Sequence, residues 1–111
     1  MASQADIERN ARVFARNGFM CVYCDYHADT YDKWRSLTID HFIPLAKDGT
    51  WAEENLVTAC MDCNCIKKDE VFASISEARA KFATLYLPIE RRNFEKYFAP
   101  LIVNQSSSSV A

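Results

Sequence analysis

The sequence lacks a long apolar run. Within its 111 residues, no stretch approaches the roughly 20 apolar residues that a membrane-spanning helix needs. The first ten residues also lack the apolar segment of a secretory signal peptide. We therefore expect a protein with no membrane partner, located in the cytoplasm, where thiols stay reduced.

The sequence also lacks an excess of positive charge. Its formal net charge is −2, which counts against tight nonspecific binding to DNA, because DNA-binding surfaces are normally basic. The placement of the charges matters more than their total, however. The chain contains two Cys-x-x-Cys pairs, Cys21/Cys24 and Cys60/Cys63, and the dipeptide Asp40-His41. Several basic residues lie close to them in sequence: Lys33, Arg35, Lys47, Lys67 and Lys68.

Low sequence complexity is confined to the C-terminal end. Residues 104–111 are polar and rich in serine, and we expect them to form a disordered tail. Residues 1–103 have the length of one small domain. A domain of this size buries a modest share of its surface, and a structural metal often supplements such a core.

The hydrophobic pattern predicts an α+β fold. In chain order it predicts a helix at 3–17, a loop at 26–35, a strand at 37–43, a strand at 55–59, a helix from Asp62, and helices at 76–86 and 89–98. Ser3 and Asp6 have the spacing of a capping box at the first helix. Pro88 is expected to break the helical pattern, and the aromatic residues after it are expected to pack against the core.

Four of the five cysteines form two Cys-x-x-Cys pairs, Cys21/Cys24 and Cys60/Cys63. In a reducing compartment, two such pairs are typical of a tetrahedral zinc site with four thiolate ligands. The alternatives are four buried thiols, or a thiol oxidoreductase with reactive cysteines. Cys65 and His27 are further candidate ligands, although Cys60/Cys63 mirrors the spacing of the first pair.

Between the two cysteine pairs lies the dipeptide Asp40-His41, and Asn64 directly follows the last paired cysteine. A carboxylate and an amide oxygen are suitable ligands for a hard divalent cation, and a neutral histidine is a suitable general base. Side chains alternate along a regular strand, so Asp40 and His41 converge only if the strand bends or ends there. The alternative is a structural ion pair or a buried histidine with satisfied hydrogen bonds.

Several segments, taken in order, resemble the HNH endonuclease family. They are Arg16-Asn-Gly-Phe-Met-Cys21-Val-Tyr-Cys24, Ile39-Asp40-His41-Phe-Ile-Pro44-Leu, Asp48-Gly49, Glu54-Asn55-Leu-Val, and Ala59-Cys60-Met-Asp-Cys63-Asn64-Cys-Ile-Lys67. The resemblance covers residues from about Gly18 to Lys68. It implies a small ββα-metal core stapled by structural zinc, in which a two-stranded antiparallel hairpin is followed by a helix. The hydrophobic pattern adds flanking helices at both ends of this core.

The resemblance also implies roles for individual residues. It makes His41 the general base, and it makes Asp40 and Asn64 the ligands of a catalytic cation. Asn55 is expected to order the loop between the strands and so to orient His41. Lys67 matches a basic helix residue of the family, which implies a contact to the DNA backbone. Lys68 and Lys47 are further candidates for DNA contacts, because they lie near the site in sequence.

The last letter of the family name HNH stands for a histidine. Asn64 occupies that position here, as in the HNN variants of the family. An amide oxygen suits Mg²⁺ or Mn²⁺ better than it suits Ni²⁺ or Zn²⁺. We therefore expect dependence on Mg²⁺ or Mn²⁺ as the catalytic cation. The resemblance implies an endonuclease that hydrolyses phosphodiester bonds in double-stranded DNA, by nicking or by double-strand cleavage. A homodimer or a partner protein is compatible with this function. The alternative is a noncatalytic zinc-binding module that binds nucleic acid or acts as an adaptor.

Overall fold

The computed structural model describes residues 2–108. By its contacts the chain divides into two compact units, Met1–Arg79 and Ala80–Ala111. One domain over residues 1–103 stays a prediction. Of the tail predicted to be disordered, residues 109–111 lie outside the described residues, and the last helix extends to Ser108.

The first unit begins with helix α1 (Gln4–Arg16). Its start is the predicted capping box, since the Ser3 hydroxyl accepts a hydrogen bond from the Asp6 backbone and the Asp6 carboxylate accepts one from the Ser3 backbone. These two contacts satisfy backbone groups that a helix end otherwise leaves unpaired. Gly18 follows the helix with φ +66°, a left-handed conformation that glycine adopts without strain.

The centre of the first unit is an antiparallel hairpin of strands β1 (Leu37–His41) and β2 (Leu56–Cys60). Its register pairs Leu37 with Cys60 and His41 with Leu56. Every residue of β2 is buried. Helix α3 (Met61–Lys67) follows β2 without a gap, so the predicted α+β fold with a hairpin and a helix is confirmed.

The segment predicted as a loop at 26–35 contains a one-turn helix, α2 (Tyr31–Trp34). The Thr30 hydroxyl caps it by accepting a hydrogen bond from the Lys33 backbone at 3.2 Å. The loop prediction was therefore wrong over these four residues. The helix is too short for its hydrophobic period to show in the sequence, and the capping threonine was the available signal.

Helix α4 (Ile75–Lys81) contributes Arg79 to the first unit. Its guanidinium donates to the Val22 carbonyl and to both carboxylate oxygens of Asp25, each at 2.8 Å. Asp25 has a positive φ of 66°. Arg79 therefore stabilises the unusual backbone of the turn that contains the first cysteine pair.

The second unit is helical. It consists of a π-helical segment at Phe82–Tyr86, helix α5 (Leu87–Asn93), a second π-helical segment at Phe94–Phe98, and helix α6 (Ala99–Ser108).

Among the described helices of the chain, none is both long enough and apolar enough to cross a membrane.

Pro88 does not break the helical conformation, contrary to the prediction. It lies in the first turn of α5, and the Leu87 N–H before it bonds to the Phe82 carbonyl five residues back. The same pattern precedes Pro100, where the Ala99 N–H bonds to the Phe94 carbonyl. A proline ring collides with the carbonyl four residues earlier in a regular helix, and we attribute its tolerance here to the wider π turn.

The aromatic residues predicted to pack against the core are exposed instead. Phe94, Tyr97 and Phe98 have 46, 57 and 58% of their surface accessible. Their helical spacing predicts a buried face, but spacing alone does not show whether a second element covers that face.

Asn55 connects the two ends of the loop between β1 and β2. Its amide oxygen accepts a hydrogen bond from the Ile43 backbone at 2.9 Å. Its amide nitrogen donates to the carbonyls of Ile43 and Thr50 at 3.0 and 2.9 Å. The backbone carbonyl of Asn55 accepts from the Phe42 N–H, directly after His41. The side chain thus holds the loop closed beside the end of β1.

Replacing Asn55 with alanine should lower the free energy of unfolding by about 1–2 kcal/mol, because three partly solvated hydrogen bonds are lost. The measurement is urea unfolding of the metal-loaded protein. Glu54→Ala, at the exposed neighbouring position, is the matched control and should be nearly neutral. Equal stability of the two variants would contradict a loop-closing role for Asn55.

Candidate functional site

The four paired cysteines lie together. Their sulfur atoms are all within 4.8 Å of one another. The first pair comes from the turn after α1, while Cys60 ends β2 and Cys63 lies in the first turn of α3. Two of the sulfurs, those of Cys24 and Cys60, are 3.8 Å apart, and a zinc ion with Zn–S distances of roughly 2.3 Å requires about this separation. The cluster suits a zinc site.

Backbone contacts position the two pairs. The Val22 N–H donates to the Thr58 carbonyl of β2, which ties the first pair to the strand that leads to the second. Hydrogen bonds from Cys24 and the other two thiols lower the pKa of Cys21, so the thiolate form is favoured there. Hydrogen bonds with Cys21 and Cys24 raise the pKa of Cys60 and Cys63, so the four thiols do not all ionise together on their own. Because zinc ligands must be deprotonated, binding of the ion would release the remaining protons.

The alternative ligands are not part of this cluster. Cys65 is exposed, although it lies only two residues after Cys63. Within the described part of the chain, His27 is also outside the group of potential ligands. The prediction of Cys21, Cys24, Cys60 and Cys63 as the metal-binding set agrees with this geometry.

Replacing Cys63 with serine should abolish stoichiometric zinc binding and lower the melting temperature, since a structural zinc contributes its binding free energy to folding. Cys65→Ser is the matched control, and it should retain one zinc per chain and the stability of the wild type. Elemental analysis and thermal unfolding measure the two effects. Loss of zinc from Cys65→Ser alone would overturn the assignment.

A second cluster lines a cavity of about 240 Å³ where β1 meets α3. Asp40 and His41 enter it from the end of β1, and Asn64 and Lys68 come from α3 and the residue after it. The wall is completed by apolar residues, namely Ile39, Pro44 and Leu45. The structure therefore brings Asp40, His41 and Asn64 to one place, while Asn55 lies in the adjoining loop.

His41 has a buried ring nitrogen, Nε2, without a hydrogen-bond partner in the part of the chain that the structure describes. The Trp51 ring meets the imidazole edge to face at 4.2 Å between centroids, and the Arg9 guanidinium lies 4.9 Å from the Trp51 centroid. Burial lowers the pKa of His41, and the positive charges of Arg9 and Lys67 lower it further. The negative charge of Asp40 opposes this shift. The neutral imidazole is favoured.

Asp40 is held from two sides. Its side chain is almost fully buried, at 4% exposure. The Tyr23 phenol donates to Oδ2, and the Lys67 ammonium lies 3.3 Å from Oδ2 and 3.4 Å from Oδ1. Burial raises the pKa of Asp40, whereas Tyr23 and Lys67 oppose that shift. A buried carboxylate is costly without such partners.

Lys67 is buried, although its expected role as a DNA contact requires an exposed side chain. It is 1% exposed, and its ammonium also donates to the His41 carbonyl at 3.1 Å. Because the charge is enclosed by Asp40 and His41, Lys67 is a structural partner of the site. Lys68 and Lys47 are exposed, and Lys68 lines the cavity. Their contact with DNA stays a prediction.

Removing the Lys67 charge should destabilise the fold by about 3–5 kcal/mol in Lys67→Met, because the buried carboxylate of Asp40 loses its cation. Lys68→Met, which removes an exposed charge from the adjacent position, should change stability by less than about 0.5 kcal/mol. Denaturant unfolding distinguishes the two. Similar stability in both variants would show that the Asp40–Lys67 pair contributes little.

Two residues that contact the catalytic candidates, Tyr23 and Trp51, were not predicted from the sequence. Arg9, which contacts Trp51, was not predicted either. No periodicity or spacing connects these residues with Asp40 or His41. Tyr23 carried the nearest signal, since it lies inside the first cysteine pair.

Comparison with protein families agrees with this geometry. The model described as HNH endonuclease matches residues 21–70. This segment contains the four paired cysteines, the hairpin, the Asp40-His41 dipeptide, Asn55 and Asn64, so the predicted resemblance is confirmed. Among the curated proteins and the solved structures, none matches this chain. The family match supports a nuclease-type role related to nucleic acid.

Proposed function

We propose that this protein is a metal-dependent endonuclease that hydrolyses phosphodiester bonds in double-stranded DNA. The observation that carries the proposal is the cavity shared by Asp40, His41 and Asn64, into which β1 and α3 bring a carboxylate, an imidazole and an amide. The family match over the same residues supports the reaction class. Its setting, in this proposal, is the cytoplasm.

The donor set of the cavity fits a hard divalent cation. Asp40 and Asn64 offer carboxylate and amide oxygens, which are the ligands that Mg²⁺ and Mn²⁺ prefer. Tyr23 and Lys67 already contact the carboxylate. A carboxylate has about four lone-pair sites, so these contacts leave acceptor capacity for a cation. When bound, the cation would neutralise charge on the scissile phosphate and on the leaving oxygen.

His41 is the proposed general base. A neutral imidazole with an unpartnered Nε2 can accept a proton from the attacking water. Trp51 packs on the ring and limits its rotation. Asn55 fixes the loop that follows His41, so strand, loop and Trp51 together orient the base.

The exposed ammonium groups of Lys68 and Lys47 are the proposed contacts to the DNA backbone. Lys68 lies at the cavity wall, where a phosphate would have to enter. Phosphate contacts of this kind position a nucleic acid without reading its sequence. One such site cuts one strand at a time, so a monomer should nick DNA, and a double-strand break would require a dimer or a second encounter.

The direct test is cleavage of supercoiled plasmid by the wild type and by His41→Ala, with Mg²⁺ or Mn²⁺ and without added metal. We expect metal-dependent conversion to the nicked circle by the wild type. Removing the general base should reduce the rate by about 10²–10⁴-fold. Gel densitometry of the time course measures both rates.

Zinc content and melting temperature of His41→Ala should match those of the wild type, which excludes unfolding as the cause of lost activity. A His41→Ala protein that cleaves as fast as the wild type would overturn the assignment of the base. A zinc-loaded wild type that does not cleave with either metal would favour a noncatalytic module that binds nucleic acid.

A further inference from the structure

Tyr23 connects the two clusters of the first unit. It lies in the Cys21-Val-Tyr-Cys24 turn and is 2% exposed. Its phenol crosses to β1 and donates a hydrogen bond to Oδ2 of Asp40. One side chain thus extends from the turn that holds two candidate zinc ligands to the carboxylate of the candidate active site.

The contact is specific in its chemistry. A buried phenol needs an acceptor, and a backbone carbonyl would be sufficient for the stability of a core. Here the acceptor is a carboxylate in the catalytic cavity, and a hydrogen bond to a charged group is stronger and shorter than one between neutral groups. Such a bond restricts the rotation of the Asp40 carboxylate.

A second group, the Lys67 ammonium, restrains the same carboxylate from a different element. The Lys67 ammonium comes from α3, the helix that also carries Cys63. Tyr23 comes from the turn that carries Cys21 and Cys24. The carboxylate is therefore held between two elements whose separation the four-cysteine cluster sets.

We propose that Tyr23 is a positioning residue that couples the four-cysteine centre to the divalent-cation site by orienting the Asp40 carboxylate. The inference rests on the proposed function for the identity of that second site. Tyr23 itself does not touch the cation or the phosphate. Its effect is on the affinity of the site for the cation.

Tyr23→Phe is the informative variant, because it keeps the ring in place and removes only the hydroxyl group. We expect it to retain one zinc per chain and the fold. Its affinity for Mn²⁺ should fall about tenfold, since the loss of one hydrogen bond to a charged group is of that size. The Mn²⁺ concentration for half-maximal nicking should rise by the same factor, while the rate at saturating Mn²⁺ changes less.

Tyr26→Phe is the matched control. Tyr26 lies on the other side of Cys24, and its phenol makes a long, exposed contact of 3.5 Å with the Lys33 carbonyl. This variant should bind zinc and Mn²⁺ as the wild type does. Binding of Mn²⁺ to the zinc-loaded proteins is measured by the electron paramagnetic resonance signal of the free ion. Asp40→Asn, which removes the carboxylate charge, defines the binding that depends on Asp40.

A Tyr23→Phe protein that binds Mn²⁺ as tightly as the wild type would overturn the proposal. Loss of zinc from Tyr23→Phe would also overturn it, because Tyr23 would then be a structural residue of the cysteine turn. Mn²⁺ binding that Asp40→Asn leaves unchanged would refute a cation site at Asp40, and the role of Tyr23 with it. Since binding is measured without DNA, a wild type that binds Mn²⁺ through Asp40 but does not nick would refute only the nuclease.

Discussion

The geometry of the first unit depends on the four-cysteine cluster. Cys24 and Cys60 are 36 positions apart in sequence, and their sulfurs are 3.8 Å apart in the structure. An isolated two-stranded hairpin is marginally stable in water, and this one has a short helix and a small buried core beside it. Thiolates that bind one ion would fix the turn after α1 against the junction of β2 and α3. Asn64 directly follows Cys63, so its position depends on that junction.

Burying the charges of the site costs stability, but the proposed chemistry of the site requires them. Enclosing Asp40 and Lys67 costs solvation free energy, and an apolar pair of the same volume could stabilise a core as well. An apolar pair would leave the cavity without a carboxylate, however. The Tyr23 phenol and the Lys67 ammonium favour the charged form of Asp40 and so oppose the rise in its pKa that burial causes. In the proposed enzyme, a cation site in such a small domain requires these contacts, because they offset part of the cost of burying the Asp40 carboxylate.

The sequence carried enough information for most of the fold and for part of the site. The Ser3–Asp6 capping box is a contact between residues three positions apart, so its pattern is local. The same holds for the cysteine pairs and for the order of strand and helix in β2 and α3. Pro88 was misread, because the consequence of a proline depends on the hydrogen bonds of the preceding turn. Lys67 was misread because residue type indicates exposure only on average, and burial depends on which partner lies opposite.

What the sequence by itself determined are relations within short segments: capping, the spacing of ligand pairs, the alternation of strand and helix, and a family resemblance carried by those spacings. The tertiary structure alone decided which distant side chains meet. It placed Tyr23 and Lys67 on Asp40, and Trp51 with Arg9 beside His41. The physical reason is the range of the interactions. Local hydrogen bonds and periodicity act over a few residues, whereas burial, desolvation and charge pairing depend on three-dimensional distances that close only when the whole unit folds.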